Sequence, residues 1–256
     1  MAGTFIGIGV GPGDPELITL KAAKALKSAD VICVPKSHAC KPSMALSMIK
    51  QILNERKNPA EILELVFPMS KDELNNRRLW VENAATVASK AKKGDVAFIT
   101  LGDPMLYSTF LYLYECVKET YPEIKLEIIP GVTSVTAAAA SAQLPLAEKD
   151  EVVSIMPSDL RQAHIEETAK HADTLVFMKC AHRIRDLIPL LLKSGFTKNS
   201  TIALVKRCTL PEEKVLVGKL VDVDGWDIIE DYFSVAIIKK SPVPIHWKKN
   251  GNGDKK

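Results

Sequence analysis

No stretch of this 256-residue sequence reaches the roughly 20 apolar residues that cross a bilayer, and its first ten residues lack the basic segment that opens a secretory signal. Neither a membrane span nor export is expected, and the cytoplasm is the compartment the sequence points to. The five cysteines (Cys33, Cys40, Cys116, Cys180 and Cys208) are odd in number and form no CxxC pair, which argues against a zinc knuckle and a disulfide framework. Also missing are the phosphate loop G-x-x-x-x-G-K-[ST], the nucleophile elbow G-x-S-x-G and the zinc motif H-E-x-x-H. His38, His164, His171, His182 and His246 stand without metal-ligand spacing, so no metal is expected. A net charge of +3 is too small to indicate nucleic acid.

What is present is the composition of an ordinary folded protein, 46% hydrophobic and 25% charged. The length suits two modest α/β domains as well as one large one. Residues 4–10 form an apolar β-type run that ends in Gly9-Val10-Gly11-Pro12-Gly13-Asp14, and helical spacing follows over 15–29. Further strands are expected at 31–34, 62–67, 95–101 and 126–129, with helices at 43–54, 71–92 and 108–119 between them. The run at 95–101 is almost continuously apolar, as in a strand covered on both faces.

Pro130-Gly131, a small-residue helix over 133–142 and Leu144-Pro145-Leu146 mark a seam. The expected domains are therefore 1–130 and 131–242, with a polar, basic tail over 243–256. In the second domain, strands are expected at 151–156, 174–179, 201–207, 214–218 and 232–239, with helices at 159–170 and 182–193. The last strands follow one another closely, as an antiparallel pair does.

The opening strand, Gly-rich loop and helix suggest a dinucleotide site, but the spacing contradicts it. Counted from Gly7, G-x-G-x-x-G needs glycine where Pro12 stands; counted from Gly9, it needs glycine where Asp14 stands. A second Gly-containing turn, Leu101-Gly102-Asp103-Pro104-Met105-Leu106-Tyr107, follows the buried strand at its carboxyl end, where open α/β sheets bind ligands. Gly102 leaves room for a ligand against the backbone, and Asp103 can accept hydrogen bonds from an amine or a ribose. The alternative is a turn that only caps the next helix.

Taken in order, these segments resemble a known family. Gly9-Val10-Gly11-Pro12-Gly13-Asp14-Pro15-Glu16-Leu17 is similar to the opening of the tetrapyrrole (corrin and porphyrin) methylases. Gly102-Asp103-Pro104, Pro130-Gly131-Val132-Thr133-Ser134, Leu175-Val176-Phe177-Met178-Lys179 and Ala203-Leu204-Val205-Lys206-Arg207-Cys208-Thr209 resemble its later signatures. The likeness runs from about Thr4 to Lys240. Val34-Pro35-Lys36, Met105-Leu106-Tyr107-Ser108-Thr109-Phe110 and Leu144-Pro145-Leu146-Ala147 look like the branch that methylates C20 of precorrin-2 or cobalt-factor II in cobalamin biosynthesis.

The resemblance implies an α/β protein of two domains with S-adenosylmethionine in the cleft between them, a tetrapyrrole substrate and a homodimer. Cofactor contacts are implied for Pro12, Leu101, Gly102, Asp103, Leu106, Tyr107, Thr133, Ser134, Met178, Lys179, Cys208 and Thr209. Cys208 replaces a glycine of the uroporphyrinogen-methylating relatives. No catalytic residue is singled out: Tyr107, Asp103 and His38 are the candidates for a proton acceptor. Lys36, Arg77, Arg78, Lys179, Arg183, Arg185 and Arg207 could hold substrate carboxylates. The alternatives are a methylase of the same fold acting at another corrin carbon or on a diphthamide precursor, and a nucleotide-binding module without catalysis.

Overall fold

The computed structural model describes residues 3–37, 42–68 and 72–243, and the chain divides into two compact units, Met1–Ser134 and Val135–Lys256. His38, Cys40, Lys71, His246 and the tail from 244 lie outside the described residues. Gly131 stays with the first unit through its amide, which donates to Asp103 Oδ2 at 2.9 Å.

The first unit is built on a five-stranded parallel sheet ordered β3-β2-β4-β1-β5. Its strands are β1 (Thr4–Gly9), β2 (Val31–Lys36), β3 (Glu61–Val66), β4 (Val96–Thr100) and β5 (Lys125–Ile129). β4 is buried at every residue and lies between β2 and β1, as its continuous apolar run predicts.

The stretch 15–29 is not one helix. Asp14 accepts from the Glu16 amide at 2.8 Å and caps a single 3₁₀ turn, Pro15–Leu17. Thr19 then stays extended and caps α1 (Leu20–Ser28) by accepting from the Ala22 amide at 3.2 Å. A break at Ile49 likewise divides 43–54 into α2 (Met44–Met48) and α3 (Lys50–Asn54).

Side-chain alternation along each strand separates two cores. Ile6, Ile8, Ile32, Val34 and Ile99 face α1, α2 and α3. Phe5, Val31, Cys33, Val96 and Phe98 face α4 (Glu73–Ala91) and α5 (Phe110–Thr120).

The second unit begins with most of α6 (Ser134–Ser141) and carries a five-stranded mixed sheet ordered β6-β7-β10-β8-β9. β6 (Val153–Pro157) and β7 (Thr174–Met178) are parallel. β8 (Thr201–Lys206) and β9 (Lys214–Lys219) form an antiparallel hairpin. β10 (Ser234–Lys239) does not pair with β9; it inserts between β7 and β8, antiparallel to both. Every residue of β10 is buried, which is the sequence signature of that central place.

α7 (Gln162–His171) and α8 (Ile184–Lys193) supply Ile165, Leu187 and Leu191 to a core shared with Leu175, Phe177, Ile202, Leu204, Ala236 and Ile238. No helix among the described residues is long and apolar enough to cross a membrane.

Candidate ligand site at the strand ends

Parallel strands end on one edge, so the order β4-β1-β5 sets the three Gly-bearing loops of the first unit side by side. The loop after β1 leads to α1 on one face of the sheet, and the loop after the adjacent β4 leads to α5 on the other. Diverging loops from adjacent strands open a crevice at the carboxyl edge, the usual ligand position in such sheets.

The loops meet through their backbones. Gly102 donates to Gly11 O at 2.7 Å and Gly11 donates back to Gly102 O at 3.4 Å. A methyl built on Gly131 lies 2.2 Å from Gly102 O, and one on Gly9 lies 2.5 Å from the same oxygen. Both positions demand glycine for lack of space. Gly102 demands it for another reason: its φ is +65°, while a methyl there comes no closer than 3.9 Å to anything. A methyl beside the Gly102 backbone would therefore meet only ordinary contacts, with Val132, Thr133 and Ser134.

Asp103 holds this arrangement together. Its Oδ1 accepts from the Met105 amide at 2.8 Å and its Oδ2 from the Gly131 amide at 2.9 Å, tying the β4 and β5 loops. Each oxygen keeps a lone pair for a ligand. The Gly-Asp-Pro turn is thus more than a local cap. Beneath it, the Thr100 and Ser108 hydroxyls bond at 2.8 Å in a buried position, and Ser108 Oγ accepts from the Phe110 amide at 3.1 Å to start α5. Tyr107 has a left-handed backbone, φ 50°, and a half-exposed ring.

Of the expected cofactor residues, Pro12, Leu101, Gly102, Asp103, Leu106, Tyr107, Thr133 and Ser134 all lie on the loops or helix start that follow β1, β4 and β5. Thr133 and Ser134 border the open side of Gly102: Thr133 Cα is 3.9 Å and Ser134 N 4.0 Å from where a methyl would stand.

The remaining four fall in the second unit, where β7 and β8 end on a common edge. Met178 closes β7, and Lys179 follows with φ 57°, its amide donating to Ser234 O at 2.7 Å and its carbonyl accepting from Ser158 Oγ at 2.9 Å. The Lys179 ammonium sits 4.9 Å over the Tyr232 ring. Cys208 and Thr209 follow β8. Burial pushes the Cys208 thiol up to about 11, so it stays protonated at neutral pH and is no nucleophile.

The basic residues differ in how they are engaged. Lys36 pairs with Glu64 at 3.0 Å and Arg207 with Asp231 at 2.7 Å. Arg183 donates to Ser158 O and Arg185 to Trp226 O, each at 2.7 Å. Arg77 and Arg78 are exposed on α4, with Arg78 3.7 Å from Glu82. Sequence reasoning missed Ser158, Glu213 and Asp231, which support the loops through bonds to Lys179, Ser141 and Arg207, each more than twenty residues away.

A parallel sheet covered by helices on both faces, with a glycine floor at its carboxyl edge, is the architecture in which α/β proteins hold small molecules. Residues 4–224 match the model of the tetrapyrrole (corrin/porphyrin) methylases, and the chain belongs to that family.

Among its relatives is the "Probable cobalt-precorrin-2 C(20)-methyltransferase" of Methanocaldococcus jannaschii, 40% identical over 91% of this chain and 95% of the relative. The cobalt-precorrin-2 C(20)-methyltransferase of Salmonella typhimurium is 35% identical over 94% of this chain and 98% of its own length. Two solved structures share the fold. A cobalt precorrin-4 methyltransferase superimposes with a TM-score of 0.70 at 24% identity, covering 93% of this chain and 96% of the other. A uroporphyrin-III C-methyltransferase from Thermus thermophilus, complexed with S-adenosylhomocysteine, gives 0.66 at 23% identity, covering 93% and 97%.

Proposed function

We propose that this protein transfers a methyl group from S-adenosylmethionine to C20 of precorrin-2 or cobalt-factor II, a step of cobalamin biosynthesis. The likeness to two relatives named for that reaction, over more than nine-tenths of the chain, supports the position on the ring. The structural observation that carries the reading is the left-handed Gly102, φ +65°, without a side chain beside the Gly9–Gly131 contact. The absence of a side chain at Gly102 lets a donor approach that backbone closely.

When bound, the cofactor supplies an electrophilic methyl on a positively charged sulfur. In this reading Pro12, Leu101, Gly102, Asp103, Leu106, Tyr107, Thr133 and Ser134 hold it on the first unit, and Met178, Lys179, Cys208 and Thr209 contribute from the second. Such residues need only orient donor and acceptor, and alignment alone lowers a barrier by roughly 7–11 kcal/mol. A meso carbon conjugated to the ring nitrogens provides the attacking electrons, consistent with a Cys208 thiol kept neutral. The homodimer and the cytoplasmic location belong to the same reading; the free thiols of Cys33, Cys116, Cys180 and Cys208 support a reducing compartment.

The test is incubation with S-adenosylmethionine and precorrin-2, with and without cobalt, followed by mass analysis and magnetic resonance of the product. One added methyl at C20 is expected. A methyl at any other carbon overturns the assignment.

A further inference from the structure

We infer that Glu213 is a positioning residue, one that sets the Arg207–Thr209 turn in the geometry the cofactor requires; this rests on the function proposed above. Two residues of that turn have left-handed backbones, Arg207 at φ 49° and Thr209 at φ 62°. For a β-branched residue such as Thr209 this conformation is strained, and surrounding bonds must hold it.

Arg207 is held by its amide donating to Phe233 O at 2.8 Å and by the Asp231 ion pair. Thr209 is held by Glu213: its amide donates to Glu213 Oε2 at 2.6 Å. The same oxygen accepts from the Ser141 hydroxyl at 2.9 Å, so one carboxylate oxygen joins the turn to the last residue of α6.

Ser141 has a single proton, and it is given to Glu213. The 3.8 Å contact between Ser141 Oγ and Cys208 Sγ therefore has the thiol as donor. The chain of donation runs from Cys208 to Ser141 to Glu213 and fixes the side chain of Cys208 and the backbone of Thr209 together. Burial keeps the thiol in its protonated, donating form. Glu213 does not touch the reacting atoms; it acts through the two residues beside it.

The test compares the full-length protein with Glu213→Gln, Glu213→Leu and Ser141→Ala by calorimetric titration with S-adenosylhomocysteine, alongside thermal melting and hydrogen exchange at the Thr209 amide. Glutamine offers an oxygen with two lone pairs in the same place. Glu213→Gln should bind within about threefold of wild type, whereas Glu213→Leu should bind about tenfold more weakly, with Ser141→Ala between them. Exchange at Thr209 should accelerate in Glu213→Leu and not in Glu213→Gln. A purely structural role lowers the melting temperature of the leucine variant but leaves affinity, measured where it is folded, unchanged; that result overturns the inference. No binding by the wild-type protein sinks the proposed function itself and this role with it.

Discussion

Gly102 and Gly131 are both glycine for opposite reasons, and alanine at each should separate ligand space from packing. At Gly102 the added methyl approaches nothing closer than 3.9 Å, so the cost to the free protein is the left-handed backbone, about 1–2 kcal/mol. At a typical 2–4 °C per kcal/mol for a chain of this size, Gly102→Ala should melt roughly 2–8 °C below wild type. The methyl nonetheless projects from the backbone that the proposed cofactor approaches, and S-adenosylhomocysteine should bind about tenfold more weakly or worse, close to 1.4 kcal/mol.

At Gly131 the methyl lies 2.2 Å from Gly102 O and 2.8 Å from Gly9, against backbone that cannot step aside. Gly131→Ala should therefore lose more than about 3 kcal/mol and melt about 10 °C lower, or fail to accumulate. Scanning calorimetry and titration calorimetry on the two variants decide the matter. Undiminished affinity in Gly102→Ala, or a wild-type melting temperature in Gly131→Ala, refutes the reasoning about which space the ligand uses. Valine at Gly102 is the harsher substitution, because a β-branched side chain tolerates a φ of +65° even less well.

Other perturbations probe the scaffold. Arg56 donates to Leu26 O, and to Ala29 O at 2.7 Å, at the end of α1 far from the strands' carboxyl edge; Arg56→Ala should cost about 1–2 kcal/mol on chemical denaturation while leaving cofactor affinity unchanged. Lys239 is buried and pairs with Glu151 at 2.6 Å, and that bond holds the Glu151 carboxyl below its usual range. The stability it provides is complete above the ordinary glutamate pKa and is lost as pH falls through the depressed one, so Glu151→Gln should flatten the decline in melting temperature below about pH 4.5. Burial pushes Cys33 and Cys180 up to about 12, while Cys116 is partly exposed; iodoacetamide at pH 8 should therefore label Cys116 first of these three, read by peptide mass mapping.

What could be read from the chain was local. The continuous apolar run before Leu101 announces a central strand because burial on both faces leaves no polar position. The Gly-Asp-Pro turn announces a strand end, and the backbone contacts of Gly102 with Gly11 lie between segments that the family likeness had singled out. Pro15 hid the break before α1, since helical spacing continues through residues that an extended Thr19 holds outside the helix. The insertion of β10 between β7 and β8 depends on pairing across long separations, which adjacent spacing misrepresents. The same limit concealed Asp103 as a tie to Gly131, 28 residues away, and Glu213 as a partner of Ser141, 72 residues away. A side chain's partner is not written beside it.

The meeting of Gly9, Gly102 and Gly131 gives the protein a floor assembled before any guest arrives. Main chain rests on main chain there, so the floor's backbone is already packed and little of its ordering is left for a guest to bring about. It also ties Gly9 and Gly131 to one atom: enlarging either drives the Gly102 carbonyl out of place, so the surroundings of the slab tolerate change that these two positions do not.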